Sequence, residues 1–107
     1  MSEIKKTLEV NRLLDIYGKI LTKKQYEIMS DYYYCDLSLS EISELRNISR
    51  TAVSDTIKNA MKKLDKIEKS LGICRVFDKN RTKNNEALLD KMEEEIKNGI
   101  WVVNRKI

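Results

Sequence analysis

The chain has 107 residues, of which 41% are hydrophobic and 36% are charged, so it is long enough for one domain with a modest core. It contains no proline and three glycines, which favours long helices over a turn-rich β-structure. It also contains no histidine, the commonest general base and metal ligand in proteins. Because metal-ligand spacing and a Gly-rich phosphate loop are missing as well, we expect neither an enzyme nor a cofactor or metal site.

The sequence also lacks the signals of export and membrane insertion. No apolar run approaches the roughly 20 residues that a membrane span needs, and the opening MSEIKKTLEV has no apolar signal core. Cys35 and Cys74 are too few for a disulfide framework and are interpreted as free thiols. We therefore expect a cytoplasmic protein without a membrane partner.

The first predicted element is an amphipathic helix over about the first twenty residues. Its apolar residues recur at helical intervals, as expected for a helix with one buried face. The predicted inner face consists of Ile4, Leu8, Leu13, Leu14, Tyr17, Ile20 and Leu21.

Three short motifs predict where the next helices begin. In LTKKQY, LSLSEI and ISRTAV, from Leu21, Leu37 and Ile48, a Ser or Thr follows an apolar residue, and a second apolar residue comes four positions later. Ser or Thr at the N-cap accepts a hydrogen bond from the first turn, Gln or Glu three residues on bonds back, and the apolar pair fixes the entry angle. The third motif lacks the Gln or Glu. Helices are predicted to begin near residues 23, 39 and 50.

The second and third helices are predicted to have short inner faces. These faces consist of Ile28, Met29, Tyr32 and Tyr33 in the second helix, and Ile42 and Leu45 in the third. The tyrosine run at 32–34 admits two interpretations. It could stack on RNA bases, but we favour core packing for Tyr32 and Tyr33 and partial exposure for Tyr34.

A sharp corner is predicted between the third and fourth helices, because only three residues separate Leu45 from Ser49. One of them must adopt a left-handed conformation, and Asn47 tolerates it best after glycine. Ser43 provides the small side chain needed where the helices cross. The stretch 38–58 is thus predicted to be a helix-turn-helix, whose second helix can enter the major groove of DNA.

The fourth helix is predicted to be long and to end at Gly72, a suitable C-terminal stop. Polar residues 78–85 are interpreted as a linker, and a last amphipathic helix is predicted over 86–98, with Gly99 ending it. Residues 1–77 would form a helical domain, and 78–107 the linker and a helix that packs on the same domain or on a second copy. The predicted inner faces consist of Val53, Ile57, Ala60, Met61, Leu64 and Leu71 in the fourth helix, and Leu88, Leu89, Met92 and Ile96 in the last.

The basic charge is concentrated in one segment. Residues 45–83 hold eleven Lys and Arg against four Asp and Glu, an excess of +7, whereas the whole chain has a net charge of +4. This distribution is typical of a polyanion binder, although it also fits a solvated basic face. The candidate nucleic-acid contacts lie on the exposed side of the fourth helix and are Arg50, Thr51, Ser54, Asp55, Lys58, Lys62, Lys66 and Lys69.

Asp55 has three possible roles on this face. Its carboxylate repels phosphates, but it could accept a hydrogen bond from cytosine, or it could pair with Lys58 or Lys62 on the same helix. It could instead belong to a surface for a protein partner.

The sequence resembles the YlxM-type bacterial helix-turn-helix proteins, whose fold is similar to region 4 of sigma factors. The matching segments, within about residues 7–98, are LTKKQ, DYYY, LSLSEIS, and ISRTAVSDTIK with the long helix that ends in KSLG. Members are commonly encoded beside genes of the signal recognition particle, so the resemblance implies a small, cytoplasmic, all-helical protein with an accessory or regulatory role in that pathway. The residues at 43, 46 and 54 differ from those usual in the family.

Two function classes follow from these observations. The first is an all-α, nucleic-acid-binding regulatory protein, with DNA favoured over RNA. The second is a helical interaction module that forms a homodimer or binds signal recognition particle proteins. It is suggested by Asp55 and by the acidic run at 93–95, which could complement the basic fourth helix.

Overall fold

The computed structural model describes the backbone of residues 2–106 and the side chains of residues 7–99. Within these residues the chain is all-α, as predicted, and a short 3₁₀ turn follows the first helix at Gly18–Ile20. Over the part of the chain that the structure describes, no helix combines the length and apolarity needed to cross a bilayer. In chain order the helices are α1 Ser2–Tyr17, α2 Lys23–Tyr33, α3 Leu39–Arg46, α4 Arg50–Leu71, α5 Ile73–Asn80 and α6 Glu86–Lys106.

The three predicted helix starts are confirmed, with their caps. Thr22 Oγ1 accepts from Gln25 N at 3.1 Å, and Gln25 Oε1 accepts from Thr22 N at 3.1 Å. Ser38 and Glu41 make the same reciprocal pair before α3. Ser49 caps α4 through its side chain alone. Each cap satisfies a first-turn N–H that has no partner inside the helix.

The core consists of two adjoining clusters. The larger one joins α1, α2, α4 and α5 around Tyr17, Met29 and Leu64. The smaller one lies under the helix-turn-helix and joins α2, α3 and α4 through Ile28, Ile42 and Val53. Five helices therefore meet through buried side chains, which fixes the orientation of α4.

Several residues predicted to face inward are at least 36% exposed. An apolar side chain is buried only where another element lies over it, and periodicity along one helix does not show where the other elements lie. Tyr32 instead meets the ring of Tyr33 edge to face, with ring centroids 4.9 Å apart. Ile4, also predicted to face inward, lies outside the described side chains. The exposed residues are Leu8, Tyr32, Leu45, Leu71, Leu88 and Met92.

Helix α5 was not expected, and residues 78–80, assigned to the polar linker, form its end. Its N-terminus has no Ser or Thr cap. The Glu68 carboxylate accepts instead from the backbone N–H groups of Cys74 and Arg75, both at 3.2 Å. The helix thus begins one residue after Gly72, which ends α4 with φ 62° as predicted.

Helix α6 runs past residue 98, because Gly99 keeps a helical conformation and does not end it. The helix packs along α1 and the 3₁₀ turn. Among the α6 side chains that the structure describes, residues 86–99, the most buried is Glu93, which forms ion pairs with Arg12 of α1 and with Arg81. Lys97 Nζ lies 2.9 Å from Asp15 Oδ1. Polar contacts therefore hold much of this helix in place.

Candidate nucleic-acid interface

The corner between α3 and α4 has the predicted left-handed residue. Asn47 adopts φ 55° and ψ 47°, and its backbone N–H donates to Ser43 O. Ile48 N donates to the same carbonyl at 3.2 Å. Ser43 Oγ donates to Ile48 O at 2.5 Å, across the point where the helices meet. The small residue at 43 and the asparagine at 47 thus hold the turn through hydrogen bonds that the chain makes with itself.

An apolar wedge and an ion pair fix α3 and α4 against α2. Ile42 and Val53 are fully buried against Ile28, and Ile48 packs on their edge. On the other side of α3, Arg46 donates to both carboxylate oxygens of the buried Asp31 of α2. The angle between the two helices is therefore set by packing on α2 and does not depend on the turn alone.

Arg46 forms this ion pair and does not lie on the exposed side of α4. Its Nε and Nη2 donate to the two oxygens of Asp31 at 2.8 and 3.0 Å, and Nη1 donates to Glu27 at 3.2 Å. This bidentate geometry is the strong form of the arginine–carboxylate contact. Hydrogen bonding to Asp31 raises the pKa of Arg46 further above its already high ordinary value. The ion pairs with Asp31 and Glu27 explain why an arginine stands at position 46.

All eight candidate residues lie on α4, and the helical period places them on one side of it. Successive residues turn by about 100°, so the candidates fall within an arc of roughly 160°, opposite the stripe of Val53, Ala60 and Leu64. Seven of the eight are exposed, and Ser54 is half-buried. The candidate face, as we call this surface, consists of Arg50, Thr51, Ser54, Asp55, Lys58, Lys62, Lys66 and Lys69.

The candidate face has five cations, but it is not uniformly basic. Asp55 is exposed within its first two turns. Asp65, which the sequence analysis did not single out, projects onto the same side and is also exposed. The sequence could have indicated that Asp65 lies on this side, because it is seven residues, or about two helical turns, after Lys58. Among the side chains at 7–99, neither aspartate forms an ion pair, so the pairing of Asp55 with Lys58 or Lys62 is not observed.

The cations are spread along the helix. Nineteen positions separate Arg50 from Lys69, which at about 1.5 Å per residue is roughly 28 Å. This is more than twice the roughly 12 Å width of the major groove. One end of α4 can therefore enter a groove while Lys66 and Lys69 lie beyond its edge.

The α3 surface beside the corner is not basic. Leu45 is exposed, as are Glu41 and Glu44. Hydrogen bonds from the Ser38 backbone and side chain lower the pKa of Glu41, so it stays ionised in the capping box. These carboxylates would repel a polyanion, which leaves α4 as the side of the helix-turn-helix suited to one.

Comparison with known proteins places this chain in a family. A model of the family described as "Putative helix-turn-helix protein, YlxM / p13 like" matches residues 4–101. The chain belongs to this family, UPF0122. The match includes the helix-turn-helix and most of α6, up to residue 101.

Individual UPF0122 proteins are similar over most of their length. One from Acetivibrio thermocellus is 44% identical over 79% of this chain and 73% of its own. One from Malacoplasma penetrans is 37% identical over 87% of this chain and 91% of its own. One from Listeria innocua is 38% identical over 85% and 78% of the two chains. No solved structure gives a significant match.

Proposed function

We propose that this UPF0122 protein binds nucleic acid through the candidate face of α4 and acts as a regulatory protein in the cytoplasm. The observation that carries the proposal is the candidate face itself. Five exposed cations share one side of a rigid helix that a helix-turn-helix presents outward. Such a helix can place its first turns in a groove while lysines farther along attract phosphates.

The two halves of the face are assigned different contacts. In the first turns, Arg50 suits a guanine or a phosphate, and Thr51 and Ser54 suit hydrogen bonds to base edges or phosphates. Lys58 at the end of these turns suits a phosphate. Asp55 is the one candidate here that phosphate repels, so an amino group such as cytosine N4 is its best ligand. Lys62, Lys66 and Lys69 then add phosphate attraction.

Duplex DNA is our first choice of ligand, and RNA is the second. A helix enters the major groove of B-DNA, whereas the major groove of A-form RNA is too narrow for it. The resemblance to YlxM-type proteins adds the signal recognition particle as a candidate context, with its RNA or its proteins as partners. The likeness to sigma region 4 rests on the same resemblance and remains a prediction.

The test is fluorescence anisotropy with three labelled ligands: random duplex DNA, the promoter of the protein's own operon and signal recognition particle RNA. The variant Arg50→Ala/Lys58→Ala should weaken binding by about tenfold or more, because two phosphate or base contacts are lost. The control Lys24→Ala/Lys91→Ala removes the same charge from exposed positions outside α4 and should bind nearly as the parent does. Equal affinity of the parent and the α4 variant, with circular dichroism showing that both are folded, would contradict the proposal.

A protein-interaction role is the second candidate, because α6 exposes Leu88 and Met92. Together with the exposed carboxylate of Glu95, which the helical period places beside Leu88, they form a surface that could pack on a second copy. Light scattering of the parent and of Leu88→Ser/Met92→Ser measures this. A dimer that becomes a monomer in the variant supports the interaction module, and a monomeric parent excludes the homodimer.

A further inference from the structure

A second surface, separate from the candidate face, lies between α2 and α6. It is an open groove of about 860 Å³, within the range of small-molecule sites. Its apolar lining comes from Leu14, Gly18 and Leu21. Leu14 and Leu21 are otherwise buried in the core, so the bottom of the groove is part of the rigid core.

Tyr26 of α2 and Tyr34, the residue that follows α2, line the groove. Tyr26 is 40% exposed and Tyr34 is 46% exposed. The Tyr26 ring lies against Gly18, so closely that a Cβ at Gly18 would come within 2.7 Å of the ring. Tyr34 Oη donates to the backbone oxygen of Asn11 at 3.4 Å. Both rings are thus held by α1 or the 3₁₀ turn while large parts of them stay open to solvent.

The groove has cations next to these rings. Lys19 and Lys23 line it, and Lys19 Nζ donates to Asn98 of α6 at 2.7 Å. The acidic lining residues, Asp15 and Glu94, both lie near Lys97 Nζ, at 2.9 and 3.5 Å. The lining therefore holds three lysines against two carboxylates, a net charge of +1, and Lys97 lies at both carboxylates while Lys19 and Lys23 form no ion pair among the described side chains.

From this juxtaposition we propose that the groove binds an unpaired nucleotide of a single-stranded nucleic acid. The base contacts both Tyr26 and Tyr34, stacking on one of the two rings, and its phosphate lies against Lys19 and Lys23. Exposed aromatic rings beside lysines are the general means by which proteins hold single strands. The site is distinct from the candidate face of α4 and does not depend on it, so either binding activity can exist without the other.

The test measures binding of labelled oligothymidylate and oligouridylate of about ten nucleotides by anisotropy at low salt. Tyr26→Leu and Tyr34→Leu keep an apolar cover on the core but remove the ring, and each should weaken binding by about tenfold. Tyr32→Leu is the matched control, because Tyr32 is an exposed tyrosine of the same helix outside the groove. Arg50→Ala/Lys58→Ala, the variant that tests the α4 face, should bind the single strands as the parent does.

Gly18→Ala tests the site without removing either tyrosine. Gly18 has no positive φ, so the backbone accepts alanine, but the added Cβ must displace the Tyr26 ring. Single-strand binding should fall in this variant while duplex binding stays.

The binding results of these variants either support or overturn the proposed site. Loss of single-strand binding in both Tyr→Leu variants, with binding retained in the Tyr32→Leu control, supports the site. A preference for oligothymidylate or oligouridylate tells whether DNA or RNA supplies the strand. No binding by the parent, or equal binding by the folded Tyr26→Leu and Tyr34→Leu variants, overturns it. Loss in the α4 variant alone also overturns it, because the single strand would then bind to α4.

Discussion

Substitution of Glu93 by glutamine should destabilise the protein more than any other loss of charge on α6. Glu93 is a buried carboxylate between two guanidinium groups. Arg12 Nη1 donates to it at 3.1 Å from α1, and Arg81 Nη2 donates at 2.7 Å from the segment before α6. Glutamine has nearly the same shape, but it brings no charge and points an NH₂ group at one of the arginines.

The size of the effect follows from what remains around the two arginines. Breaking a buried ion pair by removing one partner costs about 3–5 kcal/mol. Here the arginine side chains are 23% and 25% exposed, and each keeps another carboxylate, Asp78 at 2.7 Å and Asp90 at 2.7 Å. Water and these carboxylates compensate for part of the loss, so we expect a decrease of about 2 kcal/mol in the free energy of unfolding.

Urea denaturation followed by circular dichroism measures this decrease. Glu95→Gln is the control, since Glu95 is exposed on the same helix and should change the free energy of unfolding by less than about 0.5 kcal/mol. Equal stability of the two variants would refute the reasoning, because the buried carboxylate would then contribute no more than an exposed one.

Three further predictions concern the corner and the thiols. Asn47→Gly should leave stability nearly unchanged. Asn47→Ala should lower the melting temperature, because a side chain at positive φ lowers the free energy of unfolding by about 1 kcal/mol. Equal melting temperatures of the two variants would argue against the left-handed corner. At pH 8, iodoacetamide should modify the exposed Cys35 and spare Cys74 in the folded protein, because burial raises the pKa of the Cys74 thiol to about 12. Mass spectrometry of the peptides measures which cysteine is modified. The pKa of the Cys74 thiol in the folded protein lies above the ordinary value of about 8.5. The protonated thiol therefore contributes its full stabilisation of the folded state below pH 8.5, and this contribution is lost as the pH rises toward 12. Unfolding free energies should therefore fall less between pH 8 and pH 10 in Cys74→Ala than in the parent, and equal slopes would contradict the pKa.

The features that the sequence predicted well depend on interactions between near neighbours. The caps at Thr22, Ser38 and Ser49 bond to residues three positions away, and Asn47 bonds back to Ser43. Their geometry is determined within one turn of helix, so a short motif suffices to predict it. For the same reason the helical period alone placed the eight candidate residues on one side of α4.

The features that could not be predicted depend on distant partners. Within the acidic run at 93–95, Glu93 is buried because Arg12 lies opposite it, 81 positions away. Leu45 and Leu88 match their helices' apolar periods but have no element over them. The start of α5 was missed because its cap is a carboxylate of the preceding helix and not a residue of its own first turn.

The two proposed surfaces differ in the same way. Asp65 projects onto the candidate face and could have been found from its spacing. The groove beside Tyr26 and Tyr34 could not, because it exists only where α6 lies across from α2, and that placement depends on the contacts of Glu93 and Lys97.

The most direct test of the account is the salt dependence of duplex DNA binding by the parent protein. Each phosphate neutralised lowers the slope of log affinity against log salt by about 0.9. With two to five of the α4 cations on phosphates, we predict a linear slope between about −1.8 and −4.5, shallower in Arg50→Ala/Lys58→Ala. A parent that does not bind at low salt, or whose slope is unchanged by that substitution, would contradict the claim that α4 is a nucleic-acid interface.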